Sequence, residues 1–361
     1  MLNEKESEHY RKHLNLTEIG EAGQLKLKEA KVLVVGAGGL GCPALLYLAA
    51  AGIGTLGIVD GDIIEGSNLQ RQVLYSHENI GQSKAFIARE KLSLLNPNIF
   101  INTHDCFLNM ENALSILSDY DLIVDGSDNF ETRYLLNDAC VILNKTLVYG
   151  ALFKFEGQIS VFNHKGGPTY RCLYPDVPTA AESPNCNETG VLGVLPGIIG
   201  SMQALECIKI ICEIGIPLSG TLLIFNGLKM TTKQISFTKN LKIKISELTN
   251  YKTPGCTKTT FKDISVEEAS NLLKTKKDIL LIDVRETHEF EADNIGGKNL
   301  PLSSIQANTS LSLNKNMASI IHCQSGKRSF KACEILSKRG YKSIYNLKGG
   351  LKAWKRSNKL V

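Results

Sequence analysis

Residues 31–60 read KVLVVGAGGLGCPALLYLAAAGIGTLGIVD, and this stretch decides the fold. Apolar, β-branched residues at 32–35 predict a buried strand, and small apolar residues at 44–51 predict a helix. Residues 56–60 predict a second buried strand. A strand, a helix and a second strand in this order indicate a parallel sheet with helices on its faces.

A glycine-rich turn joins the first strand to the helix. Gly36, Gly38 and Gly41 fit the pattern G-x-G-x-x-G, with Gly39 inside it, and Asp60 follows about 20 residues later. Such glycines let the backbone turn tightly and let a phosphate approach the N–H groups at the helix start. An acid at the later position can bind a ribose hydroxyl. Taken alone, these residues would indicate a nicotinamide or flavin enzyme.

The next segment, residues 61–72, favours a nucleoside triphosphate instead. It reads GDIIEGSNLQRQ and places Arg71 between two glutamines. Dinucleotide binding does not require a cation there, whereas the dense negative charge of a triphosphate does. The predicted nucleotide-binding residues of this segment are Ser67, Asn68, Leu69, Gln70, Arg71 and Gln72. The alternative is that Asn68 and Gln72 only cap turns.

Two later features supply further charge. Lys84 follows a helix-start pattern and is predicted to be a second cation for phosphate, the alternative being an ordinary surface lysine. Asp128 and Asn129 come just after a predicted buried strand, where α/β sheets bind ligands. Because Mg²⁺ prefers one or two carboxylates plus phosphates, Asp128 is the predicted metal ligand.

In this order and spacing, these residues resemble the adenylating enzymes that activate ubiquitin-like proteins. The resemblance covers roughly residues 8–245 and is specifically to the molybdopterin-synthase and thiazole-synthesis adenylyltransferases. It implies a homodimer that uses ATP and Mg²⁺. The positions implied to contact the nucleotide or its metal are Gly39, Asp60, residues 67–71, Lys84, Asp128 and Asn129.

The resemblance also implies that the N-terminal arm reaches the nucleotide site of the partner subunit. The family has an arginine at the position that Lys12 occupies here, and Arg11 precedes it. Lysine lacks the bidentate fork of arginine. Either Lys12 or Arg11 is therefore predicted to act in trans.

Length and composition favour two domains and no membrane segment. The 361 residues are 43% hydrophobic, and no apolar run reaches the ~18 residues that span a bilayer. The polar N-terminus does not resemble a signal peptide, so a cytoplasmic protein is expected. A net charge of +5 is no nucleic-acid signature, and the lysine-rich end is expected to be a solvated helix face. Ten cysteines in such a chain indicate thiol or metal chemistry rather than disulfides.

The predicted organisation is an adenylyltransferase domain at 1–245, a polar linker at 246–261 and a smaller α/β domain at 262–361. The first domain is expected to be Rossmann-like, with a mixed, mainly parallel sheet. Its remaining predicted elements are strands at 122–125, 147–150, 159–163, 222–225 and 234–237, a loop at 166–188 and a helix at 197–214. The second domain is predicted to have strands at 279–284, 319–322 and 343–347 and helices at 266–274, 329–339 and 350–355.

Relatives in the resembled family often bind a structural zinc through two C-x-x-C pairs. This chain has one cysteine of each pair, Cys172 and Cys256, with Thr169 and Thr259 at the other positions. Two thiolates do not saturate zinc, and threonine is not a replacement ligand. The sequence therefore predicts that no zinc is bound.

Cys186 lies in a polar segment, SPNCNETG, ahead of a glycine-rich apolar run. In the resembled family a cysteine here can receive the activated carrier or persulfide sulfur. A thiolate attacks an acyl adenylate directly, so Cys186 is a candidate catalytic residue. The alternative is a loop cysteine without a role.

A second motif, IIHCQSGKRS at 320–329, places Cys323 between a predicted strand and a predicted helix. Loop N–H groups, the helix start, Lys327 and Arg328 can stabilise an anionic sulfur there. The loop has four residues between Cys323 and Arg328, one fewer than in the phosphatase pattern C-x₅-R. With the phrases DVRE at 283–286 and NLKGG at 346–350, the segment from about 262 to 358 resembles a rhodanese domain. The alternative is an inactive module used for docking.

Together the two resemblances imply adenylylation of the C-terminal glycine of a small ubiquitin-like sulfur carrier, followed by sulfur transfer to give a thiocarboxylate. Molybdopterin synthesis is the favoured pathway, with thiamine thiazole synthesis or tRNA thiolation as alternatives. The sulfur donor is expected to be a cysteine desulfurase or thiosulfate. Rival readings are a nicotinamide oxidoreductase, a non-catalytic scaffold and a ligase-type activator that forms a thioester at Cys186.

Overall fold

The structure is a computed structural model that describes residues 1–178, 190–249, 251, 261–275, 279–307, 314–315, 317–341 and 343–357. The chain divides into two compact units, Met1–Thr253 and Pro254–Val361.

The first unit has an α/β fold. Its strands are β1 (Lys31–Val35), β2 (Thr55–Val59), β3 (Phe100–His104), β4 (Leu122–Asp125), β5 (Thr146–Phe153), β6 (Glu156–Phe162), β7 (Thr221–Asn226) and β8 (Thr231–Ser236). Its helices are α1 (Glu4–His9), α2 (Arg11–Leu14), α3 (Gly20–Glu29), α4 (Gly41–Ala51), α5 (Lys84–Leu95), α6 (Ala113–Ser118), α7 (Phe130–Ile142), α8 (Tyr170–Leu173) and α9 (Val194–Cys212).

The strands form one sheet in the order β3-β2-β1-β4-β5-β6-β7-β8. The first five strands of this order, β3, β2, β1, β4 and β5, pair in parallel. Strands β6, β7 and β8 extend the sheet by antiparallel pairing. The predicted mixed, mainly parallel sheet is thereby confirmed. The apolar alternation along β1 explains its central position, since Val32 and Val34 pack into one core and Leu33 and Val35 into the core on the other face.

The glycine turn after β1 is sterically required. Gly36 has φ +92°, a left-handed conformation that side chains other than glycine rarely adopt. A Cβ atom on Gly41 would lie 1.8 Å from the backbone oxygen of Gly36. The start of α4 therefore lies directly against the end of β1, as the G-x-G-x-x-G pattern predicts.

Three differences from the predicted elements have physical causes. Strand β3 was not predicted, because its sequence FINTH is half polar and the strand is only partly buried at the sheet edge. The predicted loop at 166–188 contains the short helix α8, which begins after Thr169. The long apolar helix begins at Val194 and ends at Cys212, displaced toward the N-terminus from the predicted 197–214.

Helix α9 qualifies by length and apolar composition as one that could cross a membrane. Its apolar sequence is interrupted by Glu206 and Lys209, which form an ion pair with each other. It also packs along α4 and against β5 and β6. The helix is therefore accounted for as a core element of the sheet fold, and the absence of a membrane segment stays a prediction.

The second unit is a smaller α/β fold. Its elements are β9 (Phe261–Ile264), α10 (Val266–Thr275), β10 (Ile279–Asp283), α11 (Thr287–Ala292), β11 (Lys298–Asn299), α12 (Leu302–Gln306), β12 (Ala318–His322), α13 (Lys327–Lys338), β13 (Ile344–Leu347) and α14 (Gly350–Ser357). The strands pair in parallel in the order β11-β10-β12-β13-β9. Strand β9 begins at Phe261, one residue before the predicted start of this domain.

Candidate active sites

A cavity of about 300 Å³ lies where the carboxyl ends of the central parallel strands meet. Its walls include Gly39, Gln70, Arg71, Ser127, Asp128 and Arg133. The structure thus brings together residues from the glycine turn, from segment 61–72 and from the loop after β4. This is the position at which open α/β sheets bind ligands.

Asp60 supports the glycine turn from below. Its Oδ2 accepts a hydrogen bond from the Ala37 N–H at 2.8 Å, and its Oδ1 accepts one from the Asp62 N–H at 2.9 Å. Burial raises the pKa of the Asp60 carboxyl, and the positive charge of Lys84 partly opposes that rise. Asp60 therefore holds the glycine turn in place, and a ribose contact stays a prediction.

Segment 61–72 folds over one wall of the cavity. Its 3₁₀ turn Gly66–Asn68 precedes Arg71, whose Nη1 donates to the Ser67 carbonyl at 3.2 Å. The Asn68 side chain accepts from the Glu65 N–H at 3.3 Å, so it does cap a turn. Leu69 packs against the apolar core and has a structural role. Gln72 is buried, and its Oε1 has no hydrogen-bond partner among the residues that the structure describes.

Lys84 is the first residue of α5 and its side chain is only 7% exposed. Its Nζ lies 2.9 Å from Oδ2 of Asp62, which is itself largely exposed. The alternative, that Lys84 is an ordinary surface lysine, is therefore wrong, because its side chain is buried. Its contact with phosphate remains a prediction, because the ion pair with Asp62 is the interaction present.

Asp128 and Asn129 follow β4 and are both exposed. The Asn129 side chain caps α7 by accepting from the Thr132 N–H at 2.9 Å, whereas the Asp128 carboxylate faces the cavity. An exposed carboxylate beside a cavity that also contains Arg71 fits a Mg²⁺ ion carried by a triphosphate.

Two charged residues of this site were missed at the sequence level. Asp125, the last residue of β4, is fully buried; its Oδ1 accepts from the Ser127 N–H and hydroxyl at 2.9 and 2.6 Å. Burial raises the pKa of Asp125, and the charge of Arg133 opposes that rise. Arg133 donates to the Ser127 carbonyl at 3.3 Å and lies over the Phe130 ring. The sequence signal that could have identified Arg133 was its position, four residues after Asn129, the N-cap of α7.

Two further predicted site residues, Lys12 and Arg11, do not line the cavity. Both are exposed on α2. Cys186 lies outside the described residues, as do Cys256 and Thr259.

Cys172 lies within hydrogen-bonding distance of protein groups. Its sulfur accepts from the Thr169 N–H at 3.4 Å and from the Asn240 N–H at 3.3 Å, and it lies 3.4 Å from the Thr169 hydroxyl. Burial raises the pKa of the Cys172 thiol, but these hydrogen bonds outweigh it and the net direction is down. Within the described ranges, no group of three or more His, Cys, Asp or Glu side chains could hold a metal ion.

In the second unit, Cys323 directly follows β12 and is 1% exposed. Its sulfur accepts a hydrogen bond from the Ser329 hydroxyl at 3.5 Å. The start of α14 is hydrogen-bonded to the loop, since the Leu351 N–H donates to the Cys323 carbonyl at 2.8 Å. A Cβ atom on Gly350 would lie 2.2 Å from that carbonyl, so the close approach needs glycine.

Arg328 is held by a residue that the sequence did not single out. Its Nη1 and Nη2 lie 2.5 and 2.8 Å from the two carboxylate oxygens of Glu289 on α11. These hydrogen bonds hold the pKa of Glu289 at about 2. The cation predicted to face the Cys323 loop is therefore paired, and its charge is largely neutralised in this structure.

Buried polar residues support the loop from beneath. The Arg285 guanidinium donates to the buried Asp283 carboxylate, with Nη2 at 2.7 Å from Oδ2, and also to the Gln324 side chain at 3.2 Å. His322 is fully buried beside Asp283, and burial lowers the pKa of its imidazole. The imidazole that precedes Cys323 in the chain is therefore held by packing, and its burial favours the neutral form.

Comparison with known proteins agrees with both units. The ThiF family model matches residues 10–244, and the rhodanese-like domain model matches residues 265–357. The adenylyltransferase and sulfurtransferase MOCS3 of Culex quinquefasciatus is 41% identical over 394 residues, covering 99% of this chain and 89% of that protein. The probable adenylyltransferase/sulfurtransferase MoeZ of Mycobacterium tuberculosis is 40% identical, covering 98% of this chain and 94% of that protein.

Among solved structures, Escherichia coli MccB with ATP matches with a TM-score of 0.55 at 19% identity, covering 68% of this chain and 82% of that one. At this identity the match shows the fold alone. The chain is an adenylating α/β enzyme joined to a sulfurtransferase module. It belongs to the ThiF family and carries a rhodanese-like domain, and it is an adenylyltransferase and sulfurtransferase. The resemblances drawn from the sequence are confirmed, and the oxidoreductase and scaffold readings are set aside.

Proposed function

We propose that the first unit adenylylates the C-terminal glycine of a small ubiquitin-like sulfur carrier. The observation that carries this proposal is the cavity that Gly39, Arg71 and Asp128 line together. A carboxylate oxygen of the carrier attacks the α-phosphorus of ATP, the bond to the β-phosphate breaks, and pyrophosphate leaves. Arg71 binds the phosphates through its fork, and Lys84 is the second cation once it exchanges Asp62 for phosphate.

Asp128 is the proposed ligand for Mg²⁺, with Asn129 beside it. The metal would neutralise charge on the phosphates. Nucleotide binding also requires Gly36, Gly38 and Gly41, which keep the glycine turn open to the phosphates. Lys12 or Arg11 would complete the site of the partner subunit in a homodimer.

Sulfur transfer is proposed for the second unit. Cys323 carries a persulfide, and the terminal sulfur displaces AMP from the carrier's acyl carbon. The resulting acyl disulfide is then cleaved by a thiol, either Cys186 or an external thiol, which takes up the Cys323 sulfur in a disulfide and leaves the carrier as a thiocarboxylate. One further external thiol frees Cys323 from a disulfide with an external thiol, and two are needed to reduce a Cys186–Cys323 disulfide, the external thiols leaving as their own disulfide.

Molybdopterin synthesis is the proposed pathway. It is supported by a relative from Porphyra purpurea, named a probable molybdopterin-synthase adenylyltransferase, that is 41% identical over 97% of this chain. We propose a cytoplasmic homodimer supplied with sulfur by a cysteine desulfurase or thiosulfate, without zinc.

ATP–pyrophosphate exchange tests the adenylation step. Exchange should depend on a carrier with a C-terminal glycine and should be lost in Asp128→Asn, which removes the metal carboxylate. Asp119→Asn changes an exposed aspartate outside the cavity and should exchange normally. Exchange by Asp128→Asn at the normal rate would remove Asp128 from the mechanism, and exchange without any carrier would contradict the proposed substrate.

A further inference from the structure

The hydroxyl of Tyr75 is buried beneath the glycine turn. Tyr75 comes three residues after Gln72, and it is only 7% exposed. Its hydroxyl donates to the Ala37 carbonyl at 2.8 Å and lies 3.3 Å from the Lys84 carbonyl. One buried hydroxyl thus contacts both the glycine turn and the first residue of α5, and these two elements are predicted to bind phosphate together with Arg71.

Ala37, which lies between the first two glycines of the motif, is held through both of its backbone groups. Its N–H donates to the Asp60 carboxylate at 2.8 Å, and its carbonyl accepts from the Tyr75 hydroxyl. The Cys42 thiol, 3.3 Å from the same carbonyl, is a weak second donor. The Tyr75 hydroxyl is therefore the stronger of the two side-chain donors that fix the direction of this carbonyl.

The direction of the Ala37 carbonyl determines where the next N–H group points. A peptide unit is planar and trans, so its C=O and its N–H point in opposite directions. Because the Ala37 carbonyl points inward to Tyr75, the Gly38 N–H points away from the core. The Gly38 carbonyl accepts from the Cys42 N–H at 2.9 Å, so the Gly39 N–H points away from α4.

The N–H groups of Gly38 and Gly39 are available to a ligand. Neither has a hydrogen-bond acceptor within the ranges that the structure describes, and Gly39 lines the cavity. Two neighbouring backbone N–H groups at the start of a helix can bind an anionic oxygen. Without the Tyr75 hydroxyl, the Ala37 carbonyl would retain only the weak thiol donor, and the Gly38 N–H would lose its fixed direction.

We propose that Tyr75 is a positioning residue for the nucleotide: its hydroxyl orients the Gly38 N–H toward a phosphate oxygen of ATP and holds the glycine turn beside Lys84. The proposal rests on the proposed function, because it requires the triphosphate to bind at the glycine turn. Tyr75 does not line the cavity, so it acts through the turn and not by direct contact with the nucleotide.

The test compares full-length wild type with Tyr75→Phe, which keeps the ring and removes the hydroxyl. The matched control is Tyr120→Phe, because Tyr120 is 1% exposed, has its hydroxyl 3.0 Å from the His104 imidazole and does not line the cavity. Calorimetric titration gives Kd for MgATP and for adenosine, which lacks the phosphates. Carrier-dependent ATP–pyrophosphate exchange gives KM for ATP and kcat.

Tyr75→Phe should raise Kd and KM for ATP about two- to tenfold, the loss expected for one hydrogen bond. Kd for adenosine and kcat at saturating ATP should stay at their wild-type values, because the hydroxyl orients a group that binds phosphate. A merely structural role would instead weaken the binding of ATP and adenosine alike. Tyr120→Phe also loses a buried hydroxyl, yet it should match wild type in all four values.

The outcomes separate the role of Tyr75 from the proposed function. A wild-type chain that binds no MgATP, or that exchanges no pyrophosphate with any carrier, would refute the proposed function. Normal wild-type exchange with an unchanged Kd for ATP in Tyr75→Phe would refute the role of Tyr75 alone. An equal loss of ATP and adenosine binding, or a variant whose first unit does not fold, would show that Tyr75 only stabilises the fold and would also overturn the proposal.

Discussion

Substitution of Glu289 by glutamine should make the second unit bind thiosulfate more tightly. Glu289 neutralises Arg328 through two short hydrogen bonds, to Nη1 and Nη2. Glutamine keeps the length of the side chain but loses the negative charge and one acceptor oxygen. The freed guanidinium can then attract an anionic sulfur donor at the mouth of the Cys323 loop.

The expected size of the effect follows from the exposure of the pair. The side chains of Arg328 and Glu289 are 36% and 29% exposed, so water screens their attraction. Pairs of this kind contribute about 0.2–1 kcal/mol. If Arg328 attracts the bound thiosulfate with the same free energy, KM for thiosulfate should fall by a factor of about 1.4 to 5. The value of kcat should stay unchanged, because Cys323 and its bond from Ser329 are untouched.

The pH dependence has a definite sign. Because hydrogen bonds from Arg328 hold the pKa of Glu289 at about 2, below its ordinary 4.5, the ion pair is complete above about pH 4.5 and is lost as pH falls through about 2. The difference in KM between wild type and Glu289→Gln should therefore be constant from about pH 5 to about pH 9. Glu291→Gln, an exposed change on the same helix, is the matched control. An unchanged or higher KM in Glu289→Gln would refute the reasoning.

Three further predictions concern the first unit. Arg71→Ala should abolish carrier-dependent exchange and Arg71→Lys should restore only part of it, because lysine lacks the fork; full exchange by Arg71→Ala would contradict the phosphate role. Gly41→Ala should lower the Tm of the first unit in calorimetry because its Cβ meets the Gly36 carbonyl at 1.8 Å, whereas Gly197→Ala, with open space around it on α9, should not. Elemental analysis of purified protein should find no stoichiometric zinc, since Thr169 stands where a second thiolate would be needed beside Cys172; one zinc per chain would overturn that interpretation.

Much of the fold was predictable because the central strands are short, apolar and β-branched. Strand β4 has the predicted bounds, and β1 differs by one residue, since both are buried on two faces and their charged residues, Lys31 and Asp125, lie only at a strand end. Strand β3 escaped prediction because an edge strand with exposed positions has no such signature. The start of α9 was set too late because its first turn contains Pro196 and Gly197, which usually indicate a loop.

Site residues that belong to local motifs could be predicted, whereas contacts between residues far apart in the sequence could not. Gly39, Arg71 and Asp128 belong to motifs with fixed local spacing, and the structure places all three on one cavity. The pairing of Arg328 with Glu289 joins residues 39 positions apart, on two helices, and no local pattern reveals it. The hydrogen bond from Tyr251 to Asp138 spans 113 positions. Contacts of this kind depend on the packing of whole elements, which a single sequence does not display.

The central claim is that one chain activates a carrier carboxylate in its first unit and supplies sulfur from Cys323 in its second. The most direct measurement is the mass of a candidate carrier after incubation with ATP, Mg²⁺, thiosulfate and either wild-type or Cys323→Ala protein. Wild type should give the mass gain of an oxygen-to-sulfur replacement at the carrier's C-terminus. Cys323→Ala should release pyrophosphate at the normal rate and leave the carrier without sulfur. Full thiocarboxylate formation by Cys323→Ala, or no sulfur gain with wild type on any carrier, would contradict the account.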